Sequence, residues 1–334
     1  MRQTQQILSF DPMVEHGSGR PLLRGKVLRN IHPGEARAFR ESLDWVVDCG
    51  ITEVGSVLYA KFQQARFSAL AALVYPYATS EQLVWLSKFV VFLFAYDDVN
   101  DDREQLVQNP TLDGELEMLE ESLMSIARGS RPRGAEQPLA RAFADFMAEF
   151  QRYASDDWLA CFADDVEDYL LANRMERKVH VSDNVMKPAD YIPCRRSLSA
   201  CRAGFDVGAA LLGIDCAKIR SSEIARVMAT LGNDHFSWLN DLFGIDRDLK
   251  QGTASNLIIC LAAHTTHDLH HALDMTVNML NETCTTFFEL EHSEHVRADP
   301  DVRLYSQIVR SSIVGTLSWY YRSERYNAAH AKQH

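Results

Sequence analysis

From His32-Pro33 onward, apolar positions recur at three- and four-residue spacings: Ala36, Phe39, Leu43, Val46 and Val47 make one stripe that stops near Gly50. Such a stripe predicts an amphipathic helix. The same period predicts further helices over about 53–75, 79–105, 112–129, 136–152, 155–181, 187–213, 218–250, 253–263, 267–293 and 299–324. No stretch alternates with the two-residue period of a half-buried strand. The breaks are short turn or cap signals: Tyr75-Pro76-Tyr77, the run from Gly129 to Gly134, Lys187-Pro188, Gly213 and Gly252. With no long linker and no repeat of fixed period, the expected architecture is all-α: a single-domain bundle of about ten or more helices. Several segments are apolar over much of their circumference and should lie centrally. Residues 1–31 carry Gly17, Gly19 and Gly25 without a sustained period and read as an N-terminal arm; 32–326 is the bundle and 327–334 a C-terminal tail.

One helix breaks the pattern at its end. The run Phe89 to Tyr96 is followed at once by Asp97-Asp98-Val99-Asn100-Asp101-Asp102, with Glu104 close behind. Five carboxylates within one or two turns repel one another unless a cation neutralises them, and closely spaced aspartates are hard oxygen ligands that suit Mg2+. A second polar patch, Asn240-Asp241-Leu242-Phe243-Gly244-Ile245-Asp246-Arg247-Asp248, lies 143 residues after Asp97. There Asn240, Gly244 and Asp248 stack at i, i+4 and i+8 along one helix face. An amide oxygen and a carboxylate so placed can ligate a further Mg2+, while Gly244 offers no side chain and leaves room for water. Two acidic helix ends facing each other could clamp a polyanion through several metals.

Composition narrows the partners. The chain has 334 residues, a formal net charge of −12 and a pI near 5.5, which argues against nucleic acid or an anionic membrane as partner. Its seven cysteines form no Cys-x-x-Cys pair, as suits reduced thiols. The start, Met1 to Gln6, lacks a basic-then-apolar signal, and the greasiest run, Leu83 to Tyr96, contains Lys88 and is too short to span a bilayer. A cytoplasmic protein is expected.

From about His32 to Tyr326 the chain resembles the class I terpene synthases of microbial type, which implies a helical bundle around a central apolar cavity. The aspartate-rich motif would be Asp97, Asp98 and Asp101. The second metal motif would be Asn240, Asp241, Gly244 and Asp248, with Gly in place of the usual hydroxyl ligand and Asp in place of the usual Glu. Tyr191 to Arg196 looks like the segment bearing the diphosphate-sensing arginine, Arg195 or, failing that, Arg196. The resemblance further implies that Arg247, Arg325 and Tyr326 bind diphosphate and that Phe94, Trp319, Leu198 and Ser199 line the cavity, with Phe67 and Trp238 as further aromatic candidates. It implies three Mg2+ ions, with Mn2+ as substitute, an isoprenyl diphosphate substrate, and a monomer or homodimer. Tyr169 to Arg174 has Leu170 where a Glu is common, so no function is carried there. C15 farnesyl diphosphate is favoured over C20 geranylgeranyl diphosphate.

Other readings compete. Asp164-Asp165-Val166-Glu167-Asp168 repeats the Asp-Asp-x-x-Asp spacing, as a chain-elongating prenyltransferase would need, but lies only 67 residues after the first motif and reads as a solvated face. His264, His267 and His271 fall on one helical face and could hold zinc; no further ligand completes a site, so a surface patch is expected. Trp45, Trp85 and Trp158 read as core. A non-catalytic binder of isoprenoid or metal is the alternative outside enzymes.

Overall fold

Helices form where the apolar period runs, and several begin at a residue whose side chain caps the first turn. The computed structural model describes residues 23, 27–28, 30–100, 108–109, 111–130, 136–182 and 185–323. In order the helices are α1 (Glu35–Asp48), α2 (Val57–Ala65), α3 (Phe67–Val74), α4 (Ser80–Asn100), α5 (Leu112–Ala127), α6 (Pro138–Phe150), α7 (Asp156–Ser182), α8 (Pro188–Leu198), α9 (Cys201–Leu211), α10 (Cys216–Ser221), α11 (Glu223–Gln251), α12 (Leu257–Leu261), a π-helical turn (Ala262–Thr266), α13 (Leu269–Glu291), α14 (Glu294–Ala298) and α15 (Pro300–Arg322). No strand occurs among the described residues. Among the described residues no helix is long and apolar enough to cross a membrane.

Several helices expected as single rods are divided. The segment 53–75 breaks at Arg66, whose φ of 46° lies in the left-handed region. There Glu35, buried at the start of α1, accepts from Arg66 at 2.6 Å and from Ser68 Oγ at 2.8 Å, tying α3 back onto α1. The segment 187–213 breaks at Ala200, with φ of 51°, between α8 and α9. The segment 218–250 divides at Ser222, whose side chain accepts from Ala225 N–H and so caps α11. Before α15, the side chain of Asp299 accepts from the N–H groups of Asp301 and Val302, and Pro300 takes the first helical position.

The core gathers around α4, which is apolar on nearly every side and packs against α1, α3 and α6. Phe89 stacks on Phe146 at 4.3 Å between ring centroids, and Phe92 on Phe143 at 5.0 Å. The acidic end of this helix is anchored by a buried polar network. Glu120 of α5, fully buried, accepts from Tyr96 Oη at 2.9 Å, Arg174 Nε at 2.7 Å and Arg177 Nη1 at 2.5 Å. Arg177 also donates to Asn100 Oδ1, so α5 and α7 together fix the turn of α4 that carries Asp97 and Asp98.

Of the N-terminal arm, Leu23 is buried and Leu28 N–H donates to Ser318 Oγ at 2.8 Å, laying this part over α15. Asp101, Asp102, Glu104, Arg325, Tyr326 and the 327–334 tail lie outside the described residues.

Candidate active site

The end of α4 and the second half of α11 face each other across a cleft of about 120 Å3. Asp97 and Asp98 line it from α4, Arg195 from α8, and Asn240, Arg247 and Asp248 from α11. Each is held. Asp97 accepts from Tyr169 Oη, and Asp98 from Lys61 Nζ at 2.6 Å. Asn240 Nδ2 donates to Tyr320 Oη at 2.7 Å, which turns its Oδ1 toward Arg195 Nη2 at 3.1 Å. Asp248 is gripped from both sides: Arg247 donates to Oδ1 from Nε at 3.0 Å and Nη2 at 2.9 Å, and Asn256 Nδ2 donates to Oδ2 at 2.9 Å.

Beneath these lies Asp241, buried, which accepts from Tyr191 Oη at 2.8 Å, Arg195 Nε at 3.0 Å and Leu257 N–H at 3.0 Å. Burial pushes its carboxyl above the usual range, although Arg195 and the other donors oppose this. For Arg195 burial opposes the charge, but Asp241, Tyr191 and Glu176 more than offset it, and the guanidinium stays firmly protonated. Asp241 therefore holds Arg195 in place. Arg196 is placed elsewhere: it makes a two-pronged pair with Asp234 at 2.7 and 2.8 Å and lines a different cavity.

Sequence reasoning missed one wall. Asn173 and Glu176 of α7 line the cleft, and Tyr169 reaches Asp97 from the same helix. Positions 169, 173 and 176 stand at i, i+4 and i+7, a spacing that marks one face. Leu170, one residue off that face, is buried in the core. Glu176 accepts from Ser255 Oγ, and burial raises the Glu176 pKa, partly offset by Ser255 and Arg195.

Next to the cleft is an apolar pocket sharing Leu93, Phe94, Ser199 and Phe236 with it. Phe94 and Ser199 thus lie between the two, and Leu198 lines the cleft. Phe67 and Trp319 stand a layer further back. Phe67 stacks on Phe94 at 4.1 Å, and Trp319, buried, lies 5.8 Å from the Phe94 ring and donates from Nε1 to Ala65 O at 3.1 Å. Trp238 is buried in the core, as are Trp45, Trp85 and Trp158. Ala200 borders the apolar pocket in its left-handed conformation, a strain of about 1–2 kcal/mol that sits where α8 turns over into α9.

Two expectations are corrected. Asp165 is not solvated: it is buried and pairs with Arg202 at 2.6 Å and Arg220 at 3.1 Å, because the guanidiniums of α9 and α10 neutralise it. The histidines do not share a helix face. His264 lies in the π-helical turn and approaches Val185 O at 2.9 Å, His267 ends that turn with φ of 54°, and His271 belongs to α13.

The donor set fits Mg2+: carboxylates of Asp97, Asp98 and Asp248 and the amide oxygen of Asn240 are hard oxygen ligands, and among the described residues no thiol or imidazole lines the cleft. Among the described residues no three His, Cys, Asp or Glu converge into a cage made of protein alone.

Residues 88–286 match the family model described as terpene synthase family 2, C-terminal metal binding. The chain belongs to this family and is a class I terpene synthase of microbial type. It is 27% identical over 304 residues to the bifunctional terpene synthase Agr4 of Cyclocybe aegerita, covering 88% of this chain and 84% of that one. With the germacrene A synthase of Nostoc punctiforme the identity is 26% over 298 residues, covering 86% and 88%. The fold is similar to the crystal structure of linalool/nerolidol synthase from Streptomyces clavuligerus in complex with 2-fluorogeranyl diphosphate, with a TM-score of 0.76 at 21% identity over 87% of this chain and 99% of that one.

Proposed function

We propose that the enzyme is a Mg2+-dependent terpene cyclase that ionises a linear isoprenyl diphosphate, farnesyl diphosphate first among them, and cyclises the resulting carbocation. The observation that carries this is the convergence of the α4 aspartates, Asn240, Asp248, Arg195 and Arg247 on one cleft that opens beside an apolar pocket. Three Mg2+ ions, or Mn2+ in their place, would be held by Asp97, Asp98 and Asp101 on one side and Asn240 and Asp248 on the other. When bound they supply charge neutralisation for the departing diphosphate.

The chain's own residues do the rest. Arg195 and Arg247, with Arg325 and Tyr326 from the C-terminal segment, bind and orient the diphosphate; arginine suits this because its planar fork grips phosphate two oxygens at a time. Leu198 and Ser199 shape the floor where the prenyl chain enters. Phe94, backed by Phe67 and Trp319, offers an aromatic face worth about 0.5–2 kcal/mol to a cation and keeps water out. The seven free thiols support a reducing, cytoplasmic setting.

The test offers geranyl, farnesyl, geranylgeranyl and geranylfarnesyl diphosphate separately with Mg2+ and identifies products by gas chromatography–mass spectrometry. A cyclic C15 product that disappears with EDTA is expected. A longer linear product on adding isopentenyl diphosphate would instead establish a chain-elongating transferase, and no release of diphosphate from any substrate would leave only a binder.

A further inference from the structure

A second cavity, of about 500 Å3, lies beside α8 and exceeds the cleft in volume. Pro193, Arg196 and Ser197 line it, whereas Arg195 and Leu198 of the same helix line the cleft. Four arginines surround it, Arg196, Arg202, Arg220 and Arg226, against a single carboxylate on its wall, Asp206. In a chain of net charge −12 such a concentration of guanidiniums calls for a cause.

Three of the four are held in position by carboxylates. Arg196 pairs with Asp234 at 2.7 Å, Arg202 with Asp165 at 2.6 Å, and Arg220 with Asp165 at 3.1 Å and Asp206 at 2.5 Å. Those carboxylates are buried, so the arginines are already ordered and need not lose rotamer freedom when a ligand arrives. Arg220 also lies over the Trp158 ring at 5.6 Å, and its Nε is buried with no acceptor among the described residues. Buried guanidinium donors are seldom left so. Arg226, exposed at the rim, makes no ion pair among the described residues. Pairs that served only to tie α7, α9 and α10 together would need neither this volume nor these unused donors. The rest of the wall, Ile219, Ala225, Ala229 and Tyr305, is largely apolar.

We propose that this cavity is a second anion site, separate from the cleft, that takes a phosphate or diphosphate group in the ring of arginines. The group could be inorganic or the head of an ester whose short apolar body rests on Ile219 and Ala229. Neither needs a metal at this site, because Arg226 and the guanidinium donors that the ion pairs leave over meet the anion directly.

Titration calorimetry in EDTA, with inorganic diphosphate and geranyl monophosphate as separate probes, tests the assignment in four proteins. These are the wild type, Asn240→Ala as a change in the cleft, Arg226→Glu at the rim, and Ala229→Trp, which fills the cavity without touching a charge. Thermal melting confirms that each variant is folded. Binding of at least one probe to the wild type is expected, unchanged in Asn240→Ala and about tenfold weaker or more both in Arg226→Glu, which loses a charged contact, and in Ala229→Trp, whose indole takes the ligand's space. Diphosphate binding alone would make the ligand inorganic; tighter binding of the monoester would make it an ester. No heat from either probe, or binding lost in Asn240→Ala and kept in the other two variants, overturns the proposal.

Discussion

Arg195 Nη2 donates to Asn240 Oδ1 at 3.1 Å, so the proposed sensor and the proposed metal ligand share a hydrogen bond across the cleft. The same guanidinium pairs with buried Asp241, which locks its plane. Substrate charge arriving in the cleft therefore meets an arginine that is already oriented, and any movement of Arg195 toward phosphate frees the Asn240 oxygen. A neighbouring residue does not share this position, since Arg196 is committed to Asp234.

Arg195→Gln is accordingly expected to lower kcat by about 100-fold or more, the scale of losing one preorganised charge donor. Arg196→Gln should cost less than about tenfold, because the pair it breaks faces away from the cleft. Steady-state release of diphosphate from farnesyl diphosphate measures both. Equal losses would show that the two arginines act as one unit and remove the distinction drawn from their positions.

Gly244 leaves a gap in the proposed second metal motif, and the local geometry says what can fill it. A Cβ added there would sit 3.3 Å from Asp248 Oδ2 and 3.5 Å from Arg247 Nη2, so a small side chain fits after a shift of a few tenths of an ångström. Gly244→Ser should place a hydroxyl beside the metal ligands and lower the Mg2+ concentration for half-maximal activity by about three- to tenfold, near 1 kcal/mol. Gly244→Ala is the control. It shares the Cβ and the helix-propensity gain of up to about 1 kcal/mol but has no oxygen. If Ala lowers the Mg2+ requirement as far as Ser does, the hydroxyl is not a ligand.

Glu120 is the hub of the network that anchors the aspartate end of α4, and both arginines bound to it gain from its charge: although burial opposes protonation of Arg174 and Arg177, Glu120 more than compensates and raises both. Glu120→Ala leaves Arg177 buried without that partner and should lower unfolding free energy by about 3–5 kcal/mol in a urea titration. Glu120→Leu removes the charge yet refills the space, and its smaller loss would separate packing from charge. A change below about 1 kcal/mol in Glu120→Ala would mean that Asp113, which accepts from Arg177 Nε at 3.0 Å, takes over the role.

The helices and the acidic end of α4 are legible in the amino-acid sequence. The 3.6-residue period locates the helices, because a buried face leaves its mark on every turn, and the clustered aspartates declare themselves through a like-charge repulsion that needs a counter-ion. The divisions at Arg66 and Ala200 are not legible: neither residue is a usual breaker, and the partners that hold the broken ends are distant in sequence, such as Glu35 holding Ser68. The α7 wall is half legible. Tyr169, Asn173 and Glu176 share a face, but nothing local to α7 says that this face meets α4 and α11 rather than solvent. Asp165 shows the same limit, since its neutralising arginines come from two other helices.

His235 gives a prediction about acid stability that is independent of catalysis. It is fully buried in α11, neither ring nitrogen has a hydrogen-bond partner among the described residues, and burial lowers its pKa from 6.5 to about 4. Folding therefore selects the neutral ring. Above pH 6.5 both folded and unfolded forms are neutral and the group exerts no pH dependence. Between pH 6.5 and 4 the unfolded chain binds a proton that the folded one refuses, so stability falls as pH falls, by about 3 kcal/mol in all. His235→Leu removes this loss and leaves no polar partner stranded, since the ring had none. The variant should be at least as stable as the wild type at pH 7, and the gap between them should widen by about 2 kcal/mol from pH 6.5 to 5. Urea titrations of both proteins at pH 7, 6 and 5 read this directly. Two curves that stay parallel across that range would mean His235 takes up its proton in the folded protein.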